Sequence, residues 1–350
     1  MLKRWQFWVG AGVSALFLAI ALRGLDLQQV WLEVRAANYA WLVPGIVAYF
    51  LGVWVRTWRW HYLLRPVKPV SLGNLWPIVV IGYMGNNVYP FRAGEVLRAY
   101  VLKKKERISI SASLATVLVE RIFDGLVMLL FVFITLPTIP DLPDWLRQTV
   151  IWASLAFLGA LLVFFMIAAL PRQAEAIYTR LIQTLTPGRA QPRLLDLAHR
   201  FLGGLSSLRS SRDIAMIFIT SVMIWLLETL KYWFVMHAFP FVVSFFTLML
   251  MNGVVNLATT LPSAPGYVGT FDGPGIEILK VFSIEPALAA GYTLVLHAAL
   301  WLPITVLGLW YMARESLTWR DIRVASELKE TPASGETANT VIAPSQTTLR

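Results

Sequence analysis

Cysteine is missing from all 350 residues, which excludes disulfides and thiolate-held metals and leaves the compartment unmarked. Charge is scarce as well: 14% of residues are Asp, Glu, Lys or Arg, against roughly 25% in a soluble domain. That deficit, with 57% hydrophobic residues and a mean hydropathy of +0.63, excludes an ordinary soluble fold. The sequence also lacks H-E-x-x-H, a Walker-type loop, a dinucleotide glycine fingerprint and G-x-S-x-G. No polar stretch is long enough for a separate catalytic domain, so a non-enzymatic role is favoured, with no cofactor and no metal implied. Acids are the rarer charge, 20 against 30 Lys and Arg, giving a net charge of +10. Retention of positive loops on the cytoplasmic side of a membrane explains that excess, and no nucleic-acid partner is implied.

What is present is a series of apolar runs, several longer than the ~18 residues that read as membrane-spanning. "WQFWVGAGVSALFLAIAL", behind Lys3 and Arg4, is the first; Ala19-Ile20-Ala21 fits a signal-peptide cleavage pattern, but the spans that follow favour an uncleaved anchor. Residues 25–38 are too short and polar to cross and suit an interfacial helix. Spans are expected from Tyr39 to about Arg56 and over 108–136, 149–170, 213–236 and 287–312, with Arg56, Arg59, Arg65 and Lys68 on a cytoplasmic flank. The Arg-rich segment 171–212 contains "RQAEAIYTRLIQTL", whose alternation suits a cytoplasmic amphipathic helix on anionic lipid. Residues 1–315 then form the transmembrane domain and 316–350 a cytoplasmic tail, mostly disordered.

Two stretches, 73–107 and 240–286, are decided by charge. If residues 73–91 crossed fully, "RAGEVLRAYVLKKKER" would face outward with six bases against two acids. The preceding loop, 57–72, is basic too, so both flanks belong inside and the stretch should enter and return. Stretch 240–286 is the mirror case, with both flanks outside. Under this arrangement Arg23, Arg35, Arg147 and Lys280 face outward against seven acids, and 24 bases remain inside against ten acids. The predicted fold is an all-α polytopic membrane protein with about six full transmembrane helices and two oppositely oriented re-entrant helical hairpins. Both termini are expected to be cytoplasmic, and the membrane is expected to be the cell's own.

The hairpins carry the chemistry. Non-helical backbone at membrane depth is tolerated only where protein buries it or water reaches it. In the first, Pro90 and Gly94 break the helix, Asn86 and Asn87 can satisfy freed backbone groups, and Arg92, Glu95 and Arg98 stand near the tip. In the second, Pro262, Pro265, Gly266 and Gly269 forbid a continuous helix, with Asn256 just ahead of them. Both run apolar helix, asparagine, proline, glycine, acid, a pattern that suits an inverted repeat with half-helices opposed near the midplane. Within the 108–136 span, Glu120, Arg121 and Asp124 can share one helical face. They form either a structural ion cluster or a substrate or proton site. Glu228 and Lys231 are spaced as a self-neutralising pair, and His297, a lone histidine, reads as packing or hydrogen-bonding rather than relaying protons. The competing reading of the first stretch is a cytoplasmic loop with a surface Arg–Glu pair.

"NNVYPFRAGEVLRAYVL", then "SASLATVLVERIFDGLVML" and later "LPSAPGYVGTFDG", resemble the membrane region of lysylphosphatidylglycerol synthases, which also exists as stand-alone flippase-like (UPF0104) proteins. The likeness covers roughly residues 1–315. Its pattern falls on Asn87, Pro90, Arg92, Gly94, Glu95, Arg98, Glu120, Arg121, Asp124, Pro262, Pro265, Gly266 and Gly269, and Asp272 stands where an acid, often glutamate, follows the "GTF" piece. The resemblance implies a domain that binds or translocates lipid. The soluble aminoacyl-transferring part of the full synthases has no counterpart here, which argues against synthase activity. The expected partner is a lipid with an anionic, phospho- or polyprenyl-linked headgroup, engaged by Arg92, Arg98 and Arg121 and oriented by Glu95, Glu120 and Asp124. The alternatives are an integral-membrane transferase, with Glu95 or Asp124 as base, and an accessory subunit of envelope-synthesis enzymes.

Overall fold

A computed structural model of the chain describes residues 5–89, 93–135, 171–186, 210–261 and 263–315, with scattered further positions between 148 and 196. Among the described residues the regular elements are helices: α1 (Trp5–Leu22), α2 (Leu27–Ala36), α3 (Leu42–Leu64), α4 (Leu72–Val88), α5 (Ala93–Glu106), α6 (Ile110–Thr135), α7 (Pro171–Leu185), α8 (Ser211–Met236), α9 (Phe245–Ala258), α10 (Asp272–Val281) and α11 (Pro286–Arg314). Their starts are written in the sequence. The side chains of Asp26, Ser71, Ser210, Ser244 and Glu285 accept hydrogen bonds from amides of the first turns of α2, α4, α8, α9 and α11. Such a cap contributes about 1 kcal/mol by satisfying an otherwise orphan donor.

Three helices are long and apolar enough to cross a membrane: Tyr39–Leu64, Arg212–Met236 and Pro286–Arg314. A fourth arises only if Ala11–Leu22 and Leu27–Ala36, bent by 86° at their junction, count as one span. Three or four candidate spans, not six, is therefore what the described residues carry. α6 has the length, 26 residues, but its centre holds Glu120, Arg121 and Asp124. Most of the expected 149–170 span, and all of the 316–350 tail, lie outside the described residues. α3 departs from expectation as well. It runs to Leu64, about two turns beyond Arg56, because Trp60, Leu63 and Leu64 continue its buried face.

α4 and α5 lie antiparallel and in close contact. Gly85 and Gly82 of α4 face Gly94 and Arg98 of α5, and a Cβ on Gly94 would stand 1.9 Å from the Gly82 carbonyl oxygen. Lys68 and Asn74 close the base of this pair by hydrogen-bonding the Glu106 carboxylate at 2.8 and 3.0 Å. Those bonds, the lysine's first, hold the Glu106 carboxyl below the ordinary carboxylate range.

Buried side chains gather into two principal clusters. One joins α3, α4, α5 and α6 through Trp60, Leu75, Ile78, Leu97 and Phe123. The other joins α8, α9, α10 and α11 through Tyr232, Met251, Leu279 and Tyr292. α11 serves both: Ala287 to Leu296 lie in the second, Ile304 and Met312 in the first, and Leu300 packs against each. Pro303 stands inside the continuous α11 at this handover, beside an apolar cavity of about 510 Å³ between α2, α3 and α11.

Candidate functional site

Charged side chains converge where α3, α4, α5, α6 and α8 meet. Arg59, 2% exposed, grips Asp124 with both terminal nitrogens, at 2.6 and 3.3 Å, and donates to Ser221 Oγ at 2.8 Å. Trp225 Nε1 adds a 3.1 Å bond to the same carboxylate. Arg98 Nη2 donates to Glu120 Oε2 at 2.6 Å, and its guanidinium lies 4.2 Å from the Trp60 ring centroid, a cation–π contact. Arg121 Nη2 reaches Glu95 Oε1 at 2.5 Å, with Asp124 Oδ2 3.7 Å from Nη1. Arg56 Nη1 contacts Glu228 Oε1 at 2.5 Å, and Lys231 holds the other Glu228 oxygen.

The local sequence explains the convergence. Gly82 and Gly94 allow α4 and α5 to touch, which brings Asn86, Glu95 and Arg98 to one side of the pair. Glu120 and Asp124, one turn apart on α6, are buried toward it, whereas the Arg121 side chain is 42% exposed. Between them lies a cavity of about 20 Å³, lined by Arg59, Asn86, Glu95, Arg98, Glu120 and Arg121 among others. A space of that size takes roughly one water molecule.

Two features of this site bear on chemistry. Five cationic side chains (Arg56, Arg59, Arg98, Arg121, Lys231) meet four carboxylates (Glu95, Glu120, Asp124, Glu228), so the described residues leave one positive charge over. Arg59 Nε, Arg98 Nε, Glu120 Oε1 and Asn86 Oδ1 are buried without a hydrogen-bond partner. An unsatisfied buried polar group costs about 1–3 kcal/mol, more for a charged one, so four of them in one place mark a site rather than a finished core.

Of the residues singled out from the sequence, Asn86, Glu95, Arg98, Glu120, Arg121 and Asp124 are brought together. Gly94 belongs to the α4–α5 contact. Asn87 turns away, its Nδ2 donating to the Trp301 carbonyl and to Thr305 Oγ1 on α11 at 3.2 and 2.8 Å. Asn256 bonds to Asn252 one turn back, at 2.8 Å, and does not line the cavity. Glu228 and Lys231 pair as their spacing implies, with Arg56 added. Pro265, Gly266 and Gly269 form the turn ahead of α10, where both glycines have positive φ, +72° and +83°. Pro90, Arg92 and Pro262 lie outside the described residues.

Arg56 and Arg59 were assigned to a cytoplasmic flank; the structure puts them inside the cluster. The available signal was the unbroken apolar face after them, Trp60, Leu63 and Leu64, with the two arginines three residues apart and so on one side of a helix.

Residues 7–308 match the sequence profile of the lysylphosphatidylglycerol synthase TM region. The chain belongs to that family. As a member it is a multi-pass membrane protein, all-helical in its described residues. Among its relatives, a UPF0104 membrane protein of Methanocaldococcus jannaschii is 22% identical over 305 residues, covering 85% of this chain and 91% of that protein. Another from Methanothermobacter thermautotrophicus is 25% identical over 301 residues, covering 81% and 87%. The glycosyltransferase AglD of Haloferax volcanii is 33% identical over 117 residues, which cover 33% of this chain and 19% of that protein.

Proposed function

We propose that this member of the lysylphosphatidylglycerol synthase TM family binds the headgroup of an anionic, phospho- or polyprenyl-linked lipid in the arginine cavity and moves it across the cell membrane. The observation that carries the reading is a buried cavity at which Arg59 and Arg98 keep unused Nε donors and, among the described residues, cations outnumber carboxylates by one. Guanidinium forks match phosphate in bidentate fashion, and a phosphate entering here would replace a carboxylate partner rather than meet bare repulsion. At about 20 Å³ the cavity is closed to a headgroup, so α4 and α5 must shift from α6 to admit one. In this reading α4–α5 and α9–α10 are the opposed re-entrant hairpins and both termini are cytoplasmic. Support comes from the antiparallel glycine contact of the first pair, from helices of 17, 14, 14 and 10 residues, and from the basic run at Lys103, Lys104 and Lys105.

The test is lipid movement in proteoliposomes, resolved by headgroup. An anionic phosphatidylglycerol probe should cross faster than a zwitterionic phosphatidylcholine probe, and Arg98→Gln should remove the difference. Equal rates for the two probes, or none above empty vesicles, would sink the reading. A second reading, an integral-membrane transferase or its accessory subunit in lipid or glycan synthesis, is favoured by the likeness to a protein named a glycosyltransferase. It predicts a chemically altered lipid and no translocation.

A further inference from the structure

Away from the arginines, where α11 meets the turn before α10, one constellation is used by nothing described so far. His297 Nδ1 lies 2.7 Å from Asp272 Oδ1, and Nε2 lies 2.7 Å from the Gly266 carbonyl oxygen. A carbonyl oxygen only accepts, so Nε2 carries a hydrogen. A neutral imidazole with that hydrogen would turn a lone pair toward the Asp272 carboxylate, another acceptor. The short Nδ1 contact therefore requires a second proton, and it rests on Nδ1, because an imidazole is a stronger base than a carboxylate. The pair holds one dissociable proton more than a neutral histidine beside a carboxylate.

The surroundings isolate this proton. Asp272 Oδ2 accepts from the Gly269 amide at 2.9 Å, and the Phe271 ring covers the imidazole at 4.5 Å between centroids. Asp272, on α10, is the charged group that bonds the ring; of the other elements packed on α11, α2 brings Glu33 against Gly291, and α3 and α8 bring Arg56, Glu228 and Lys231, which pair with one another. The His297 side chain keeps 14% of its surface exposed.

Loss of the proton cannot leave both arms in place. If the hydrogen stays on Nε2, Nδ1 and Asp272 repel. If it moves to Nδ1, Nε2 and the Gly266 carbonyl repel. Either α10 or the Gly266 turn is released. That turn is packed on Trp301, one helical turn beyond His297: a Cβ on Gly266 would stand 2.7 Å from Trp301 Nε1. Trp301 Nε1 in turn donates to the Asn87 carbonyl at 3.4 Å, and Asn87 adjoins Asn86 in the arginine cavity.

The geometry points to His297 and Asp272 as a proton-binding site whose occupancy sets the link between the α9–α10 pair and the α4–α5 pair, so that lipid movement is coupled to protons. The coupling rests on the lipid reading above; the proton site rests on its own contacts.

The two can be tested separately. In nanodiscs of zwitterionic lipid, ¹⁵N-histidine NMR, assigned by H297Q, should show both His297 nitrogens protonated at neutral pH, and D272N should abolish that state. In proteoliposomes, transfer of the anionic probe should change with pH by up to about tenfold per unit, the ceiling for one coupled proton. It should be flat in H297Q and D272N, each first checked for wild-type elution and thermal stability. A singly protonated His297 at neutral pH, or an unchanged pH profile in both variants, would overturn the inference. Absence of probe movement at every pH would remove the lipid reading, and the imidazole spectra would still decide the proton site.

Discussion

Arg59 and Arg121 both reach Asp124, from opposite environments. Arg59 is sealed between α3, α6 and α8, and its loss leaves a buried carboxylate short of its main partner. Breaking such a pair costs about 3–5 kcal/mol, so Arg59→Met should lower thermal stability and abundance strongly. The Arg121 side chain is 42% exposed, so its removal uncovers less buried charge than the removal of Arg59 does. Arg121→Met should fold nearly as wild type yet lose anionic-lipid transfer. If Arg121→Met proves as unstable as Arg59→Met, or keeps full transfer per folded molecule, Arg121 has no role in substrate handling. The same contrast marks how far single residues could be read from sequence. Glu120 and Asp124 share a helix, so their common face was legible. The partners of Glu120 and Asp124, Arg98 and Arg59, are 22 and 65 residues away, and helical periodicity carries no information across such distances.

For the helices, the decisive constraint is how closely α4 and α5 approach. Gly94→Ala places a methyl 1.9 Å from a backbone carbonyl that cannot rotate away, so α5 must shift and the cavity with it. Overpacking of this kind costs about 1–3 kcal/mol, and lipid binding should fall with it. Gly253, in α9, has nothing within 4 Å of an added Cβ. Gly253→Ala should be neutral or stabilise by about 0.5–1 kcal/mol, through the lower entropy of the unfolded chain. Denaturation of the two purified variants in detergent checks both, and a harmless Gly94→Ala would mean the α4–α5 contact does not set the site. Helix existence was well signalled by apolar runs and by Asp or Ser caps. α3 ends about two turns beyond the Arg56 at which the apolar pattern predicts a stop. A charge ends a span only when no partner awaits it inside, and Asp124 and Glu228 await Arg59 and Arg56.

At the scale of the whole molecule, sequence composition was enough for the class, an all-helical membrane protein, since 57% hydrophobic residues leave no other home. It was not enough for the number of spans, because α6, apolar along most of its length, carries Glu120, Arg121 and Asp124 at its centre. Topology can be settled directly, helped by the lack of cysteine. With both termini inside and opposed hairpins, Lys104→Cys should react with an impermeant thiol reagent only in inverted vesicles, and Val242→Cys only in intact cells. Both side chains are exposed, and labelling of position 104 from outside would refute the arrangement. The passage of α11 from one buried cluster to the other has a mechanical meaning beyond packing. Pro303 has no amide to give the Ala299 carbonyl, so the rod that fastens the two halves is softest at their boundary, next to about 510 Å³ of free apolar space. The packing of α3 along α8 keeps the halves joined, so α11 serves as a flexible axle between them, and its amides should exchange fastest around Pro303.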